Sequence, residues 1–233
     1  MSKKILASDY DRTFYLSDVD INKNINAVKE FRKKGNIFII ATGRSYLDFQ
    51  KKLNLYEFSY DYVIINHGAT ILDVNDNIIS NYVIEDNIVN NVKLDLQLEK
   101  CEKWFCCSEL ESRVNFEHKK LTKINVKYNS PLQANFVNDL INNKYSKYVH
   151  SYRIGESSIE IISSETNKSK AIKIISDRLH VSSENVYTIG DGHSDVEMVK
   201  DFNGYAVFGA IPEVKAIAKG EYKSVSELIL KIM

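Results

Sequence analysis

The sequence contains few residues that break or cross-link a chain: two prolines, nine glycines and three cysteines among 233 residues. So few prolines and glycines predict that most of the chain forms regular secondary structure. The cysteines are Cys101, Cys106 and Cys107, an odd number without a CxxC pair or a companion histidine cluster. That pattern argues against both a disulfide framework and a zinc site, so we expect reduced thiols and a cytoplasmic protein.

An excess of charge and a long apolar run are also missing. Lysine plus arginine and aspartate plus glutamate both number 31, which gives a formal net charge of zero. Such a chain has no global field that would attract nucleic acid or an anionic membrane. The first residues lack the apolar stretch of a signal peptide, and no later run approaches the roughly 20 apolar residues of a membrane-spanning helix. We therefore expect neither nucleic acid nor a membrane as a partner.

Apolar strand patterns alternate with amphipathic helix patterns at both ends of the chain. Short apolar runs predict strands, and the 3.6-residue spacing of Ile21, Ile25, Val28 and Phe31 predicts a helix that ends at Gly35. The predicted strands are 5–8, 37–40, 62–65, 186–189 and 205–208, and the predicted helices include 44–53, 170–179 and 195–200. This alternation is typical of a parallel sheet wound with helices.

The middle of the chain lacks that alternation. It predicts a hairpin (71–73 and 78–84), helices at 86–100 and 133–144, and strands near 104–107, 123–127, 149–154 and 159–162. Irregular order of this kind indicates an antiparallel α+β unit. The predicted fold is therefore α/β: a doubly wound, Rossmann-like parallel-sheet core formed by 1–70 and 165–233, with an inserted α+β cap at 71–164.

Two acidic residues follow the first predicted strand, in the stretch Asp9-Tyr10-Asp11-Arg12-Thr13. The carboxyl ends of parallel strands border the ligand crevice of an open α/β sheet. An aspartate there can attack phosphorus, and a second one can donate a proton to the leaving oxygen. The alternative is a loop with two solvated acids, since this pair alone is weak evidence.

Two further loops carry groups that suit an anion. Thr42-Gly43-Arg44 lies between a strand and a helix, where a hydroxyl and free N–H groups can hold a phosphate, although a simple chain turn is equally consistent. Lys168 opens the helix after the insertion, and a lysine at that junction can neutralise phosphate oxygens. Lys170 is so close that either lysine can fill this role.

The last loop, Gly190-Asp191-Gly192-His193-Ser194-Asp195, brings a further carboxylate to the end of a predicted strand. Mg²⁺ prefers hard oxygen ligands, and it typically uses one or two carboxylates, waters and substrate phosphate. Asp9 and Asp191, on adjacent strands, meet that requirement. Asp195 falls in a first helical turn, where acidic residues are also ordinary partners of the helix dipole.

Together the four loops, D-x-D-x-T, T-G-R, a lysine and G-D-x-x-x-D, resemble the haloacid dehalogenase superfamily of phosphatases, specifically its Cof-type branch with a C2-type cap. The turn Asn66-His67-Gly68-Ala69 and the tail 207–215 are also similar to that branch. The resemblance implies that Asp9 is the nucleophile and Asp11 the general acid. The other implied roles are phosphate binding by Thr42, Gly43, Arg44 and Lys168, Mg²⁺ binding by Asp9, the backbone carbonyl of Asp11, and Asp191, and support from Asp195 and Ser194.

The implied activity is hydrolysis of a small phosphorylated metabolite, such as a sugar phosphate or a phosphoglycolate-like acid, through an aspartyl-phosphate, by a monomer or homodimer. The alternatives are a phosphomutase and a non-catalytic sugar-phosphate-binding regulator. Three residues depart from the family pattern: Arg12 replaces a glycine, Ser194 an asparagine, and His67 the asparagine of the turn. The predicted cap carries cationic candidates for substrate contacts, with a solvated basic surface as the alternative: Arg113, His118, Lys119 and Lys120.

Overall fold

The computed structural model describes residues 3–233, and within them the strands form two separate sheets. In chain order the strands are β1 (Ile5–Ser8), β2 (Ile37–Ala41), β3 (Tyr62–Ile65), β4 (Thr70–Asp73), β5 (Ile78–Asn81), β6 (Cys101–Cys107), β7 (Ser112–Val114), β8 (Lys123–Tyr128), β9 (Val149–Ile154), β10 (Ser158–Ser163), β11 (Val186–Gly190), β12 (Asn203–Val207) and β13 (Glu221–Tyr222). The helices are α1 (Asp18–Lys33), α2 (Tyr46–Tyr56), α3 (Asp86–Asp95), α4 (Pro131–Tyr145), α5 (Lys168–Arg178), α6 (Val196–Asp201), α7 (Pro212–Ile217) and α8 (Val225–Ile232).

The larger sheet has the strand order β13-β12-β11-β1-β2-β3-β4-β5. The first six of these strands run parallel, and β4 and β5 continue the sheet in antiparallel pairing. Ile5, Leu6 and Ala7 in the central strand β1 are fully buried, as expected for a strand covered on both faces. The predicted α/β class with a central parallel sheet is confirmed.

The second sheet, with the order β7-β6-β8-β10-β9, is antiparallel throughout. Its apolar side chains pack with those of α3 and α4 into a cluster that is separate from the core around the larger sheet. We call the part of the chain that carries this second sheet the cap. The limits 1–70 with 165–233 and 71–164 stay a prediction.

The hairpin at the start of the predicted insertion is placed differently by the structure. We expected residues 71–84 to open the cap, but β4 pairs with β3 and β5 pairs with β4, so both belong to the larger sheet. The side chains of Ile71 and Leu72 are fully buried in the core around that sheet. The hydrophobic pattern alone did not reveal which sheet would take the hairpin.

The first core helix shows how the sequence sets an element. Ser17 caps α1 by accepting a hydrogen bond from the N–H of Asp20 (3.2 Å), and acidic residues in the first turn complement the helix dipole. Ile21, Val28 and Phe31 are buried, whereas Ile25 is only partly buried. The fourth buried residue is polar: Asn24 donates to the carbonyl of Phe14 (2.8 Å), which anchors the chain that follows β1. Within residues 3–233, no helix combines the length and apolar character needed to cross a bilayer.

Candidate active site

The carboxyl ends of β1 and β11 bring two predicted site residues together. The strands are adjacent and parallel, with Ser8 opposite Ile189 in the register. The N–H of Asp9 donates to the carbonyl of Ile189 (3.0 Å), which fixes the start of the first loop against the end of β11. Asp9 and Asp191 are both buried, with exposed fractions of 6% and 3%.

Lys168 lies between two carboxylates. Its Nζ donates to Oδ1 of Asp9 (2.6 Å) and to Oδ1 of Asp195 (2.7 Å). Asn167 caps α5 by accepting a hydrogen bond from the N–H of Lys170 (2.8 Å), so Lys168 is the first helical residue and its side chain is buried. Lys170 is exposed and donates to the carbonyl of Ser164 (3.0 Å). The structure therefore places Lys168, and not Lys170, at the cluster.

Asp195 is fully engaged by its neighbours. While Oδ1 accepts from Lys168, Oδ2 accepts from the N–H groups of Asp191 and Gly192, both at 2.9 Å. A β-carbon on Gly190 would lie 2.5 Å from the β-carbon of Asp195, so this strand end has to be glycine. Asp195 thus fixes the backbone that carries Asp191 and the side chain of Lys168.

The three carboxylates form a group that is suited to a metal ion. Asp9, Asp191 and Asp195 each offer a carboxylate oxygen, and these atoms all lie within 4.8 Å of one another. Hard oxygen donors of this kind fit Mg²⁺. Because Asp195 already binds Lys168 and two N–H groups, Asp9 and Asp191 are the side chains that would hold the ion.

Burial and the neighbouring charges together shift the pKa values of the site. Burial raises the pKa of Asp9, and the neighbouring Lys168 offsets only part of this rise. Burial and then the negative charge of Asp195 raise the pKa of Asp191 to about 6. Burial alone would lower the pKa of Lys168, but Asp195 and Asp9 outweigh it and raise that pKa.

Arg12 supplies a cation to Asp191 from the first loop. Its Nη2 lies 2.9 Å from Oδ2 of Asp191, while the side chain stays 72% exposed. Thr13 donates its hydroxyl to Oδ1 of the same carboxylate (3.3 Å). The φ of Arg12 is 61°, in the left-handed region that glycine adopts most readily.

Asp11 is held by an arginine of the second loop. Nε and Nη2 of Arg44 donate to the two oxygens of Asp11, at 2.8 and 2.6 Å. The guanidinium also lies over the ring of Tyr10, 5.6 Å from its centroid. This two-bond pairing is among the stronger forms of carboxylate recognition, and it joins the first and second loops.

The second loop is packed tightly against the turn after β3. The hydroxyl of Thr42 accepts a hydrogen bond from the N–H of Arg44 (3.1 Å), and the carbonyl of Thr42 accepts one from the N–H of His67 (3.0 Å). A β-carbon on Gly43 would lie 2.3 Å from Cε1 of His67, so only glycine fits. The packing explains the glycine of the Thr-Gly-Arg stretch.

A cavity of about 660 Å³ opens onto these loops and is bordered by the cap on its other side. From the core it is lined by Asp9, Asp11, Arg12, Gly43, Arg44, His67, Lys168, Asp191, Ser194 and Asp195, among others. From the cap it is lined by Phe105, Lys123, Asn135, Arg153, Glu156 and Glu160, among others. A chamber of this size suits a small metabolite.

Comparison with known proteins gives the family. The model of the haloacid dehalogenase-like hydrolases matches residues 6–112 and 107–227 of the chain. The chain belongs to this family.

Similar proteins agree with that assignment. A Buchnera aphidicola subsp. Baizongia pistaciae protein, named provisionally as a phosphatase, is 27% identical over 268 residues, which cover 98% of this chain and 97% of that protein. A haloacid dehalogenase-like hydrolase from B. subtilis shares the fold with a TM-score of 0.85 at 16% identity, over 99% and 100% of the two chains. The subclass IIB sugar phosphatase BT4131 does so with a TM-score of 0.81 at 18% identity, over 99% and 100%.

Among the residues predicted for this haloacid dehalogenase-like site, Thr42 is the one that does not line the cavity itself. It is buried behind Gly43 and Arg44. Arg44 lines the cavity but is paired with Asp11.

The cationic candidates of the cap do not border the cavity. Arg113 is exposed over the ring of Phe105, His118 pairs with Glu111 (2.6 Å), Lys119 pairs with Asp86 (2.7 Å), and Lys120 is exposed. The expectation that they contact substrate is not supported by their positions.

Sequence patterns did not indicate the cap residues Lys123, Asn125 and Glu160 as part of the site. The structure places Lys123 and Glu160 at the cavity, and Asn125 hydrogen-bonds to Glu160. A weak signal was present: Lys123 and Asn125 alternate with apolar residues along β8, which predicts one polar face. The alternation predicts a polar face on β8, but it does not predict which part of the molecule that face contacts.

Proposed function

We propose that this chain is a Mg²⁺-dependent phosphomonoester hydrolase. Its substrate would be a small phosphorylated metabolite, such as a sugar phosphate or a phosphoglycolate-like acid, and its reaction would pass through an aspartyl-phosphate. The observation that carries the proposal is the cluster in which Lys168 binds Asp9 and Asp195 beside Asp191. Membership of the hydrolase family supports the same class of reaction.

Asp9 is the nucleophile in this proposal. One of its carboxylate oxygens attacks phosphorus, and the bond between phosphorus and the ester oxygen breaks. Asp11 gives its proton to the leaving oxygen, and in the second step it takes a proton from the water that attacks the aspartyl-phosphate. Inorganic phosphate leaves and both carboxylates regain their starting state.

Lys168, Arg44 and the N–H groups of the second loop would stabilise the negative charge of the transferring group. Arg44 donates hydrogen bonds to both oxygens of Asp11 in the structure, so the carboxylate is not free to act on the leaving oxygen while this pair persists. A phosphoryl group of the substrate would compete for the guanidinium. Asp11 would then be released to carry a proton.

Asp9, Asp191 and the backbone carbonyl of Asp11 would hold the Mg²⁺ ion. When bound, the ion would neutralise charge on the phosphoryl oxygens and reduce their repulsion from Asp9. Asp195 would keep Lys168 and the backbone at Asp191 in place through the contacts described above.

Phosphate release from a panel of phosphate esters tests the proposal. The panel includes sugar phosphates, phosphoglycolate, nucleotides and p-nitrophenyl phosphate, each with Mg²⁺ or with EDTA. We expect Mg²⁺-dependent release that Asp9→Asn abolishes, because an amide oxygen is a poor nucleophile. Asp177→Asn, at an exposed pair on α5, is the control and should keep wild-type activity.

Either of two results would contradict the proposal. One is undiminished release by Asp9→Asn, and the other is release by the wild type that EDTA leaves unchanged. Dependence on a bisphosphate activator with little free phosphate would indicate a mutase instead.

A further inference from the structure

A buried polar cluster joins the cap to the core beside the candidate active site. We call it the docking cluster, and it comprises His67 of the core with Lys123, Asn125 and Glu160 of the cap. Oε1 of Glu160 accepts from Nζ of Lys123 (2.9 Å) and from Nδ2 of Asn125 (2.8 Å). Oε2 of Glu160 contacts Nε2 of His67, across the boundary between cap and core. His67, Lys123 and Glu160 are all buried.

The docking cluster is balanced in charge. Burial lowers the pKa of His67, more than Glu160 raises it, so the imidazole is neutral and its Nε2–H donates to the glutamate. Burial acts to raise the pKa of Glu160, but Lys123 and His67 outweigh it and hold that pKa well below its ordinary value. Burial acts to lower the pKa of Lys123, and Glu160 in turn raises it. One buried cation therefore faces one buried anion at the border of the cavity.

The cluster also contacts the second loop directly. Nζ of Lys123 donates to the carbonyl of Gly43 (2.5 Å), the residue between Thr42 and Arg44. His67, the core partner of Glu160, packs against Gly43 so closely that a β-carbon there would overlap its ring. The cap thus contacts the loop at its peptide carbonyl and through the histidine that packs against it.

We propose that Lys123 and Glu160 are positioning residues that dock the cap on the core and thereby hold the 42–44 loop where it binds the phosphoryl group. The proposal rests on the proposed function for the role of that loop, but the docking itself does not depend on it. His67 is the partner of these two residues on the core side: it contacts Glu160 and packs against Gly43 of the loop.

The physical reason is the cost of burying charge. Lys123 and Glu160 have been removed from water, which is favourable only when all their hydrogen bonds are made. The bonds to His67 and to Gly43 exist only when the cap lies on the core in this orientation. A cap packed on the core in another position would leave both charges buried without these bonds, so the cluster selects one docked position among those that apolar contact alone would allow.

The test compares the full-length wild type with Lys123→Met/Glu160→Gln, in which neither charge is left unpaired. Small-angle X-ray scattering gives the radius of gyration, and steady-state kinetics on the best substrate of the panel gives kcat and KM. We expect a larger radius of gyration and a kcat lower by about 10- to 100-fold, because a loop displaced by about 1 Å costs that much. KM should change less than kcat.

A matched control removes a similar pair from the same strand of the cap. Lys127 on β8 pairs with Glu102 (2.6 Å), and both side chains are partly exposed and lie outside the cavity. Lys127→Met/Glu102→Gln should leave the radius of gyration, kcat and KM at their wild-type values. Thermal unfolding of both double variants confirms that each is folded.

The possible results separate the two proposals. If the Lys123→Met/Glu160→Gln variant keeps the wild-type radius of gyration and kcat, the positioning role is wrong while the proposed function stands. If only KM changes, Lys123 or Glu160 contacts substrate instead of docking the cap, which also overturns the inference. If the wild type hydrolyses no phosphate ester, the scattering comparison still decides whether the cluster docks the cap.

Discussion

Arg12 has a backbone conformation that costs free energy for a residue with a side chain. Its φ of 61° lies where glycine is favoured, and glycine is the usual residue here in the family pattern that the sequence resembles. In this conformation, Nη2 of Arg12 lies 2.9 Å from Oδ2 of Asp191. The arginine therefore occupies an oxygen of a carboxylate that the proposed function assigns to Mg²⁺.

Arg12→Gly should raise the affinity for Mg²⁺ by about two- to fivefold, because the competing cation is an exposed one of modest strength. Isothermal titration calorimetry with MgCl₂ measures this directly. Arg12→Ala removes the same guanidinium but keeps a β-carbon at positive φ. It should gain similar affinity and be about 1 kcal/mol less stable to urea than Arg12→Gly. Unchanged Mg²⁺ affinity in both variants would contradict the competition.

Sequence patterns indicated the carboxylates of the site but not the charged residues that the cap contributes. Asp9 and Asp191 follow strands that the apolar pattern locates, so their meeting at one sheet edge follows from the topology of parallel strands. Lys123 and Glu160 lie within strands of another sheet, and their partners depend on how the cap rests on the core. No local pattern contains that information. The choice between Lys168 and Lys170 likewise depended on the register of α5.

Helix α5 carries the lysine of the site, and its first turn depends on one capping residue. The side chain of Asn167 accepts the hydrogen bond from the N–H of Lys170 (2.8 Å). Asn167→Ala should lower the free energy of unfolding by about 1 kcal/mol and should also reduce phosphate release, because Lys168 is the next residue. Urea unfolding and the phosphate assay measure the two effects.

Ser130→Ala is the matched control for Asn167→Ala, because it also removes a side chain that caps the start of a helix. Ser130 precedes the first turn of α4, a helix of the cap domain, and its side chain accepts a hydrogen bond from the N–H of Gln133 (3.2 Å). Its loss should lower stability by a similar amount and leave turnover unchanged. Equal losses of turnover in the two variants would show that general destabilisation, and not the position of Lys168, is responsible.

A buried apolar run helps to predict a strand, as in β1 and β3. β1, β3 and β9 have the predicted bounds. β7 and β13 were missed, since they have three and two residues and lie at sheet edges, where few side chains are buried. The helix predicted at 86–100 ends at Asp95, because Gln97 turns the chain with a φ of 50° into a short 3₁₀ turn.

For the whole molecule, the docking cluster makes stability depend on pH. The pKa of Glu160 in the folded protein lies below its ordinary value of 4.5. The ionised glutamate therefore stabilises the folded state above pH 4.5, and this contribution is lost as the pH falls from 4.5 through the folded pKa. At pH 7, Glu160→Gln should be less stable than the wild type by about 3 kcal/mol.

Urea unfolding at pH 7 and pH 3.5 checks this sign. The difference between the wild type and Glu160→Gln should shrink at the lower pH. Glu102→Gln, at an exposed pair within the cap, should change stability by less than about 1 kcal/mol at pH 7. A difference for Glu160→Gln that is the same at both pH values would mean that the ionised carboxylate is not what stabilises the interface.

The strand order of the larger sheet also sets the order in which the protein can fold. β1 lies between β2 and β11, so Ile5 finds one neighbour, Ile37, soon after synthesis begins, but it has to wait for Val186 on the other side. The cap, whose cluster of apolar side chains runs from Ile84 to Ile161, leaves the ribosome before β11 and can collapse by itself. Until β11 arrives, one edge of β1 is unpaired and able to pair with another chain. We therefore expect incomplete chains that end before residue 186 to aggregate through the core and not through the cap.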